Sequence, residues 1–374
     1  MEKFEKPILV TRPFMPTYEA FCEGLKEIWD NQWLTNNGPV LQRYRSELKN
    51  YLETNNIGLF ANGTLALQIG LQGLCIRGEV ITTPFTFVAT THALYWNQIR
   101  PVFCDIEPDT FNLDPAKIEE LITPWTTAIL AVHVFGRPCK LNALADIARR
   151  HNLTLIYDAA HAFGVRVNEK SICHYGDLSM FSFHATKLYH SIEGGMLVFK
   201  DPGLQNIFSY LKNFGFKNET EVVMPGTNAK MNELQALMGS MMLNYMDMLI
   251  EKKKRIYEIY QERLCDVVGI SFSPDPERNV DYNYAYVPAL INEHEFGMSR
   301  NELHEKLKEY NIFSRRYFYP LLNDLSCYQS VAVSKPLTVA KKVSEQIITL
   351  PTYADLSEDD VHKICDILSK IRTH

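Results

Sequence analysis

The stretch NIGLFANGTLALQIGLQGLC, residues 56–75, contains the local patterns that decide the fold. Its first apolar run predicts a short buried strand, the Asn62-Gly63 pair predicts a turn, and the apolar residues that follow predict a helix. A strand that leads directly into a helix is the repeating unit of a sheet with parallel strands covered by helices. The same unit recurs up to about residue 200.

Four further strand-like runs follow, and helix-like segments separate them. The runs are continuous aliphatic and β-branched stretches, which indicates strands buried on both faces. Between them, DPAKIEELIT predicts a helix that opens with an Asp cap and a Pro in its first turn. Together they predict an α/β fold with a mostly parallel sheet. The strand-like runs are GEVITT (78–83), PVFCDIEP (101–108), TAILAVHVFG (127–136) and LTLIYDAAHAFG (153–164).

The pattern changes after about residue 240, where residues 241–264 predict one long helix leaving the first domain. We interpret its Lys252–Lys254 run as a solvated face. Later segments alternate between strand and helix, and the last helix should be capped by Ser357 and Asp360. Its apolar stripe is Val361, Ile364, Leu368 and Ile371. We therefore predict a large domain over residues 1–245 and a small α+β domain over residues 246–374, on which the N-terminal segment is able to pack.

Composition narrows the class of protein. The chain has 374 residues, 46% of them apolar. Its net charge of −6 indicates no basic surface of the kind that binds nucleic acid. The first residues lack the apolar segment of a signal peptide, and the apolar runs are too short to cross a membrane. The eight cysteines include no C-x-x-C pair, so a zinc cluster is not expected. These features predict a cytoplasmic protein with reduced cysteines.

Polar residues cluster where the predicted strands end, which is where parallel α/β sheets bind ligands. One strand leads to Asp158 and His161, and the run FSFHATK leads to Ser182, His184 and Lys187. Gly63 and Thr64 stand at a helix start, where unpaired backbone N–H groups attract phosphate.

These residue types suit pyridoxal 5'-phosphate. A lysine amine such as that of Lys187 forms an imine with the cofactor's aldehyde, and a carboxylate such as Asp158 keeps the pyridinium nitrogen protonated. Phe87 is placed to stack on the ring, and Ser182 with the helix start is placed to hold the phosphate. Two other interpretations remain open at this point: Lys187 is an ordinary surface lysine, or Asp158, His161 and His184 bind a metal.

Eight motifs then carry a resemblance to a known family. In order along the chain, they resemble the fold-type I, pyridoxal-phosphate-dependent sugar aminotransferases of the DegT/StrS group, over nearly the whole length. The resemblance implies a seven-stranded mixed sheet and action on nucleotide-linked keto-deoxysugars. The motifs are TNNGP, ANGTLAL, TTPFTFVATTHA, DIEPDTFNLDP, VHVFGRPC, IYDAAHAFG, FSFHATK with EGG, and PGTNAKMNELQA.

Residue by residue, the resemblance implies that Lys187 carries the imine, Asp158 pairs with the pyridinium, and Phe87 stacks on the ring. His161 replaces the glutamine of most members near the cofactor's ring oxygen. Asn228 is implied to reach the phosphate of the neighbouring subunit, which makes the protein a homodimer with active sites at the interface. The phosphate cradle is implied to consist of Gly63, Thr64 and Ser182.

Substrate contact is expected from the run RRYFYP. A guanidinium suits a sugar-nucleotide diphosphate, and tyrosines suit sugar hydroxyls or a base. The alternative is a plain β-strand, in which only one of the two arginines faces the ligand. Many family members have a histidine just downstream, but here Leu322 and Asn323 occupy that place. The candidates are Arg315, Arg316, Tyr317 and Tyr319.

The resemblance implies amination of dTDP-4-keto-6-deoxy-D-glucose to dTDP-4-amino-4,6-dideoxy-D-glucose with L-glutamate as donor. It also implies that this is a step in making bacterial surface polysaccharides such as lipopolysaccharide O-antigen. Three alternatives stay open. They are transamination at C3 of the sugar, a sugar dehydratase, and a non-enzymatic regulator that binds a sugar nucleotide. The presence of Lys187 argues against the dehydratase, since those enzymes have histidine at that position.

Overall fold

The computed structural model describes residues 2–328 and 335–372, and within them the chain forms fifteen strands and twelve α-helices. The strands are β1 (Ile8–Leu9), β2 (Ile57–Phe60), β3 (Glu79–Thr82), β4 (Arg100–Phe103), β5 (Thr126–Val132), β6 (Thr154–Asp158), β7 (Arg166–Val167), β8 (Lys170–Ser171), β9 (Leu178–Ser182), β10 (Gly195–Phe199), β11 (Ile270–Phe272), β12 (Val280–Asp281), β13 (Val287–Ile291), β14 (Ile312–Phe313) and β15 (Ile347–Leu350). The helices are α1 (Tyr18–Asn31), α2 (Pro39–Leu52), α3 (Gly63–Gly73), α4 (Val88–Trp96), α5 (Leu141–Arg150), α6 (Leu204–Leu211), α7 (Glu233–Leu243), α8 (Met246–Leu264), α9 (Glu293–Phe296), α10 (Arg300–Glu309), α11 (Thr338–Gln346) and α12 (Glu358–Ile371).

The main sheet has seven strands in the order β2-β10-β9-β6-β5-β3-β4. β10 runs antiparallel to both of its neighbours, and the other pairs are parallel, so six strands end at the same edge. The predicted α/β fold with a mixed seven-stranded sheet is confirmed.

Both faces of this sheet are buried, as the continuous apolar runs predict. On one face, α2, α5 and α7 pack through residues such as Tyr44, Leu144 and Met242. On the other face, α3, α4 and α6 pack through residues such as Leu67 and Phe208. All four residues of β2 are buried, because successive side chains enter opposite layers.

The C-terminal part has its own core, built on a second sheet in the order β11-β13-β15 and on α8, α10 and α12. The N-terminal segment joins this core through Phe4 and Ile8, and β1 pairs in parallel with β14. Ser357 caps α12 by accepting a bond from the Asp360 N–H, and the predicted apolar stripe of that helix is buried, as expected. The domain division at residue 245 stays a prediction.

Two predicted helices differ from the structure. Residues 114–123 form two short 3₁₀ turns, Pro115–Lys117 and Glu119–Leu121, although Asp114 caps the first as predicted. So short a segment does not offset the cost of nucleating an α-helix. The single helix predicted over residues 241–264 is divided, since α7 ends at Leu243 and α8 begins at Met246. None of the helices in the described residues has the length and apolar character to cross a membrane.

The interpretation of Lys252–Lys254 as a solvated face is wrong for its middle residue. Lys253 is only 5% exposed, and its ammonium group donates hydrogen bonds to the carbonyl oxygens of Ala285, at 3.1 Å, and Thr352, at 3.2 Å. Burial lowers the pKa of Lys253 to about 7. The side chain therefore joins α8 to the segments before β13 and after β15.

Lys253→Met should lower the free energy of unfolding by about 2 kcal/mol, because two buried carbonyl oxygens lose their donor. Urea denaturation monitored by circular dichroism measures the change. The matched control is Lys252→Met, at an exposed position of the same helix turn, which should leave stability nearly unchanged. Equal stability of the two variants would contradict this role of Lys253.

Candidate active site

A pocket of about 260 Å³ lies at the edge where the six parallel strands of the main sheet end. β6 delivers Asp158 to it, β9 delivers Ser182, and the turn after β2 leads into the first residues of α3. The carboxyl ends of parallel strands meet at one edge, so residues far apart in sequence converge there. The predicted residues that line this pocket are Gly63, Thr64, Phe87, Asp158, His161, Ser182, His184, Lys187 and Tyr317.

Lys187 is partly buried in the pocket wall, and its Nζ donates a hydrogen bond to the hydroxyl of Tyr286 at 3.3 Å. Desolvation lowers the pKa of Lys187 to about 8, against the opposing attraction of the Asp158 carboxylate. The interpretation of Lys187 as an ordinary surface lysine is therefore wrong. With this pKa, roughly a tenth of the amine is neutral and nucleophilic at pH 7, against far less than 1% for an ordinary lysine.

Asp158 is buried at the end of β6, where its carboxylate accepts two hydrogen bonds. They come from the Thr90 hydroxyl at 2.8 Å and from the Ala160 N–H at 3.1 Å. Burial raises the pKa of Asp158, while these bonds and the charge of Lys187 act in the opposite direction. The carboxylate is thus held in place and suits a cationic ring nitrogen.

His161 follows on the turn after β6, and its ring is buried among aromatic residues. Its Nδ1 accepts a hydrogen bond from the Phe135 N–H at 3.1 Å, so this nitrogen carries no proton. Burial and the nearby charge of Lys187 lower the pKa of His161 well below its usual value. The ring is therefore neutral with its proton on Nε2, which leaves Nε2–H as a donor for a ligand oxygen. The hydrogen bond to Nδ1 and the burial of the ring thus determine the protonation state of His161, which the sequence alone did not.

The start of α3 forms a cradle of bare backbone. Asn62 caps this helix by accepting a bond from the Leu65 N–H at 2.8 Å. A β-carbon at position 63 would lie 3.0 Å from the Cβ of Ser182, and one at position 195 would lie 2.6 Å from the nitrogen of Gly63. Glycines are required here because strand ends and the helix start approach so closely. The hydroxyls of Thr64 and Ser182 make no hydrogen bond to other described residues, which leaves them for an anion.

A wider groove of about 620 Å³ adjoins the pocket and shares Thr86, Phe87, Thr186, Tyr317 and Phe318 with it. Phe87 is 57% exposed at the junction, so one face of its ring is open to a ligand. The groove also receives Arg315, Arg316 and Tyr319.

The two arginines of this groove differ in their surroundings. Arg315 is exposed, whereas Arg316 donates to the Asn301 side chain at 2.9 Å and lies 5.4 Å from the ring centre of Tyr319. The run is not a regular strand, since β14 ends at Phe313 and only an isolated bridge joins Arg315 to Thr349. Both arginines and both tyrosines therefore line the groove together, and strand alternation does not divide them.

Asn228 is exposed and lies outside this pocket in the single chain. It follows a loop with exposed apolar side chains at Phe214, Phe216, Val222 and Val223. Its contact with a neighbouring subunit stays a prediction.

The metal-site alternative for Asp158, His161 and His184 finds no support. Across residues 2–328 and 335–372, no three histidine, cysteine or carboxylate side chains are grouped to hold a metal ion. His184 is exposed and bonds through Nδ1 to the Thr186 hydroxyl at 2.8 Å, while its Nε2 lies 3.5 Å from Glu193.

Sequence reasoning missed two pocket residues that bond directly to predicted side chains. Thr90 bonds to Asp158, and the TTH run at 90–92 gave a polar signal inside an apolar helix. Tyr286 bonds to Lys187 but lies 99 residues away in sequence, in a tyrosine-rich run that resembled an ordinary strand.

Comparison with known proteins agrees with this geometry. Residues 17–369 match the DegT/DnrJ/EryC1/StrS aminotransferase family. The chain belongs to this family. The protein is 43% identical to a dTDP-4-amino-4,6-dideoxy-D-glucose transaminase of Shigella dysenteriae, over 98% of this chain and 100% of that one. It is 42% identical to a transaminase of the same name from Escherichia coli, over 97% of this chain and 98% of that one.

Among solved structures, the chain is similar to DesI, crystallised in the presence of its TDP-sugar product. The TM-score is 0.95 and the identity is 35%, with 100% of this chain and 95% of DesI covered. The protein is thus an aminotransferase, and pyridoxal phosphate is its cofactor. The pocket fits this group, since it combines a backbone cradle for a phosphate, a buried carboxylate for a ring nitrogen and an amine of lowered pKa.

The reactivity of Lys187 in the chain stripped of cofactor should rise with pH and be half-maximal near pH 8, since only the neutral amine reacts. Competitive acetylation followed by peptide mass spectrometry measures this midpoint. In the urea-unfolded chain the midpoint for the same lysine should lie at about pH 10.4. Asp158→Asn should move the midpoint further down, because the ammonium form loses its attracting charge. A midpoint equal to that of the unfolded chain would contradict the assignment.

Proposed function

We propose that the protein transfers an amino group from L-glutamate to dTDP-4-keto-6-deoxy-D-glucose, giving dTDP-4-amino-4,6-dideoxy-D-glucose. The observation that carries this proposal is the pairing of the Lys187 pocket with a cationic groove that adjoins it. The pocket suits the amino-transfer chemistry, and the groove suits a diphosphate. The names of the two relatives from Shigella dysenteriae and Escherichia coli, and the TDP-sugar product of DesI, support this substrate.

Pyridoxal phosphate, when bound, supplies an electron sink that stabilises negative charge at the carbon losing a proton. In the proposed roles, the α3 start, Thr64 and Ser182 hold the phosphate. Asp158 accepts a hydrogen bond from the ring nitrogen, and Nε2–H of His161 donates to the ring oxygen. Phe87 covers one face of the ring.

Lys187 acts as the base. Its amine, with a pKa lowered to about 8, would move a proton from Cα of the amino donor to the C4′ carbon of the cofactor in the first half of the reaction, and from that carbon to the sugar in the second half. Asp158 moderates the lowering of this pKa, so the same amine is able both to accept and to donate a proton near neutral pH. In the sugar half-reaction, the proton from Lys187 is delivered to C4 of the sugar.

The groove beside the pocket is proposed to hold the nucleotide part of the substrate. Arg315 and Arg316 suit the diphosphate, with Tyr317 at the junction and Tyr319 stacked under the Arg316 guanidinium. Lys308 also lines this groove and adds a positive charge, which is paired with the Glu305 carboxylate at 2.7 Å.

We further propose a homodimer in which Asn228 of each chain completes the phosphate site of the other. The exposed apolar residues Phe214, Phe216, Val222 and Val223 just before it support a buried contact. The eight free cysteines suit a reducing compartment, so we place the enzyme in the cytoplasm. Its product is proposed to enter surface polysaccharides such as lipopolysaccharide O-antigen.

The C3 alternative remains the main rival, because turning the sugar ring in the pocket would present the neighbouring carbon to the same lysine. The proposal is tested by incubating the enzyme with dTDP-4-keto-6-deoxy-D-glucose and ¹⁵N-labelled glutamate. NMR of the product should place nitrogen on C4. Amination of a dTDP-3-keto-6-deoxyhexose in a parallel reaction with no turnover of the 4-keto sugar, or amination of a GDP-linked keto-sugar but not of the dTDP-linked one, would overturn it.

Lys187→Ala should abolish product formation, with a loss on the order of 10³-fold or more, because the general base is removed. Rates are measured by chromatography of the dTDP-sugars, and Lys252→Ala, an exposed lysine of α8, serves as the matched control. Unchanged turnover in Lys187→Ala would refute the proposed role of this residue.

Mixing two inactive variants tests the shared active site. Asn228→Asp should weaken cofactor binding by placing a carboxylate beside the phosphate, and Lys187→Ala should be inactive. Co-refolded mixtures should regain activity, since each heterodimer contains one site with both native residues and thus about half the activity of a native dimer. Mixtures as inactive as the separate variants would argue against an active site shared between subunits.

A further inference from the structure

The segment Tyr282–Tyr286 ties the second sheet to the loops that form the pocket. The Tyr282 hydroxyl donates to the carbonyl of Phe135 at 2.7 Å. The Asn283 amide donates to the carbonyl oxygens of His161, at 2.8 Å, and Phe163, at 3.0 Å. These bonds hold the backbone that carries Phe135 and His161 against the segment that leads into β13.

The same segment is held from its other side. Ala285 donates its N–H to the Asn283 side chain at 3.2 Å, and its carbonyl accepts the bond from the buried Lys253 described above. Because both the N–H and the carbonyl of Ala285 are hydrogen-bonded, the next residue, Tyr286, has little freedom of position.

Tyr286 stands between this segment and the pocket. Its ring centre lies 4.6 Å from that of His161 and 5.5 Å from that of Phe135, and its hydroxyl accepts the hydrogen bond from Nζ of Lys187. Burial raises the pKa of Tyr286, so the hydroxyl stays neutral at working pH and acts as a fixed dipole. An amine that donates one N–H to this oxygen keeps its lone pair free.

We propose that Tyr286 is a positioning residue, whose hydroxyl holds the Lys187 amine at the pocket wall with its lone pair available for bond formation and proton transfer. Without this bond the flexible lysine side chain samples several rotamers, and only some of them place Nζ correctly. This inference rests on the proposed role of Lys187, and it adds a second residue on which the reactivity of that lysine depends.

The step most directly affected is covalent attachment of Lys187 to the cofactor. In that step the neutral amine adds to the aldehyde carbon and an N–C bond forms. The aldehyde oxygen then leaves as water, taking up both amine protons, with no oxidation or reduction. Positioning of Nζ should change the rate of this step and leave the initial non-covalent binding of the phosphate and ring unaffected.

The test is stopped-flow absorbance of the full chain, stripped of cofactor and mixed with increasing pyridoxal phosphate. The observed rate saturates, so the limiting rate of attachment is separated from the concentration at half-saturation. Tyr286→Phe should lower the limiting rate about tenfold, since one hydrogen bond that orients the amine is lost. Its half-saturation concentration should stay within about twofold of the native value.

The matched control is Tyr284→Phe. Tyr284 belongs to the same segment, and its ring packs on Tyr257 and Tyr282, but its hydroxyl makes no hydrogen bond to the described residues. This variant should attach the cofactor at the native rate.

Three results would overturn the inference: an unchanged limiting rate in Tyr286→Phe, a change confined to half-saturation, or a Tyr286→Phe protein that fails to fold, which would make the hydroxyl purely structural. Failure of attachment in the native chain would instead refute the role of Lys187. Normal attachment without amination of the dTDP-sugar would refute the proposed substrate and leave Tyr286 in its role.

Discussion

Removal of the Lys187 amine from water is the constraint on which the rest of the site depends. A buried ammonium group is costly, so burial lowers its pKa to about 8 and makes a reactive amine available. The same desolvation raises the pKa of Asp158, and each group partly offsets the effect on the other. The pocket therefore needs a carboxylate held by fixed donors, which Thr90 and the Ala160 N–H provide. Without these donors Asp158 would protonate more readily, because the neutral acid is less costly to bury, and a neutral acid would not serve in the proposed pairing with the cofactor's ring nitrogen.

Removal from water also determines the charge of His161, but with a different outcome. A second cation beside Lys187 would be unfavourable, and both burial and the charge of Lys187 keep the imidazole neutral. The Phe135 N–H then selects the tautomer, because it occupies Nδ1. A neutral histidine with its proton on Nε2 presents one donor, as the amide of a glutamine does. A histidine at this position, where the sequence resemblance implies glutamine in most members, is thus compatible with the proposed contact while the ring is shielded from water.

Much of this site follows from the sequence because parallel strands end at one edge. Asp158, Ser182 and the α3 start were predicted from the ends of apolar runs, and the fold places them in one pocket. Tyr286 was not predictable in this way, since nothing in the run YNYAY distinguishes the tyrosine that faces Lys187. Lys253 was missed although a signal existed. Lys253 lies on the buried face of α8 together with Leu249, Ile256 and Tyr260. Its helical spacing from these residues, rather than its charge, determines that it is buried.

The division of space between pocket and groove bears on specificity. A pocket of about 260 Å³ is small for a complete nucleotide sugar, and the cofactor itself takes part of that volume. Only the reacting carbon of each substrate therefore needs to enter the pocket. The amino donor and the keto-sugar acceptor have nothing else in common chemically. Under the proposed function, discrimination between substrates belongs to the wider groove, where Arg315 and Arg316 would meet the diphosphate that an amino-acid donor lacks. Lys187 and Tyr286 need not distinguish the two substrates, because the donor and the acceptor both require proton transfer at a carbon bonded to nitrogen.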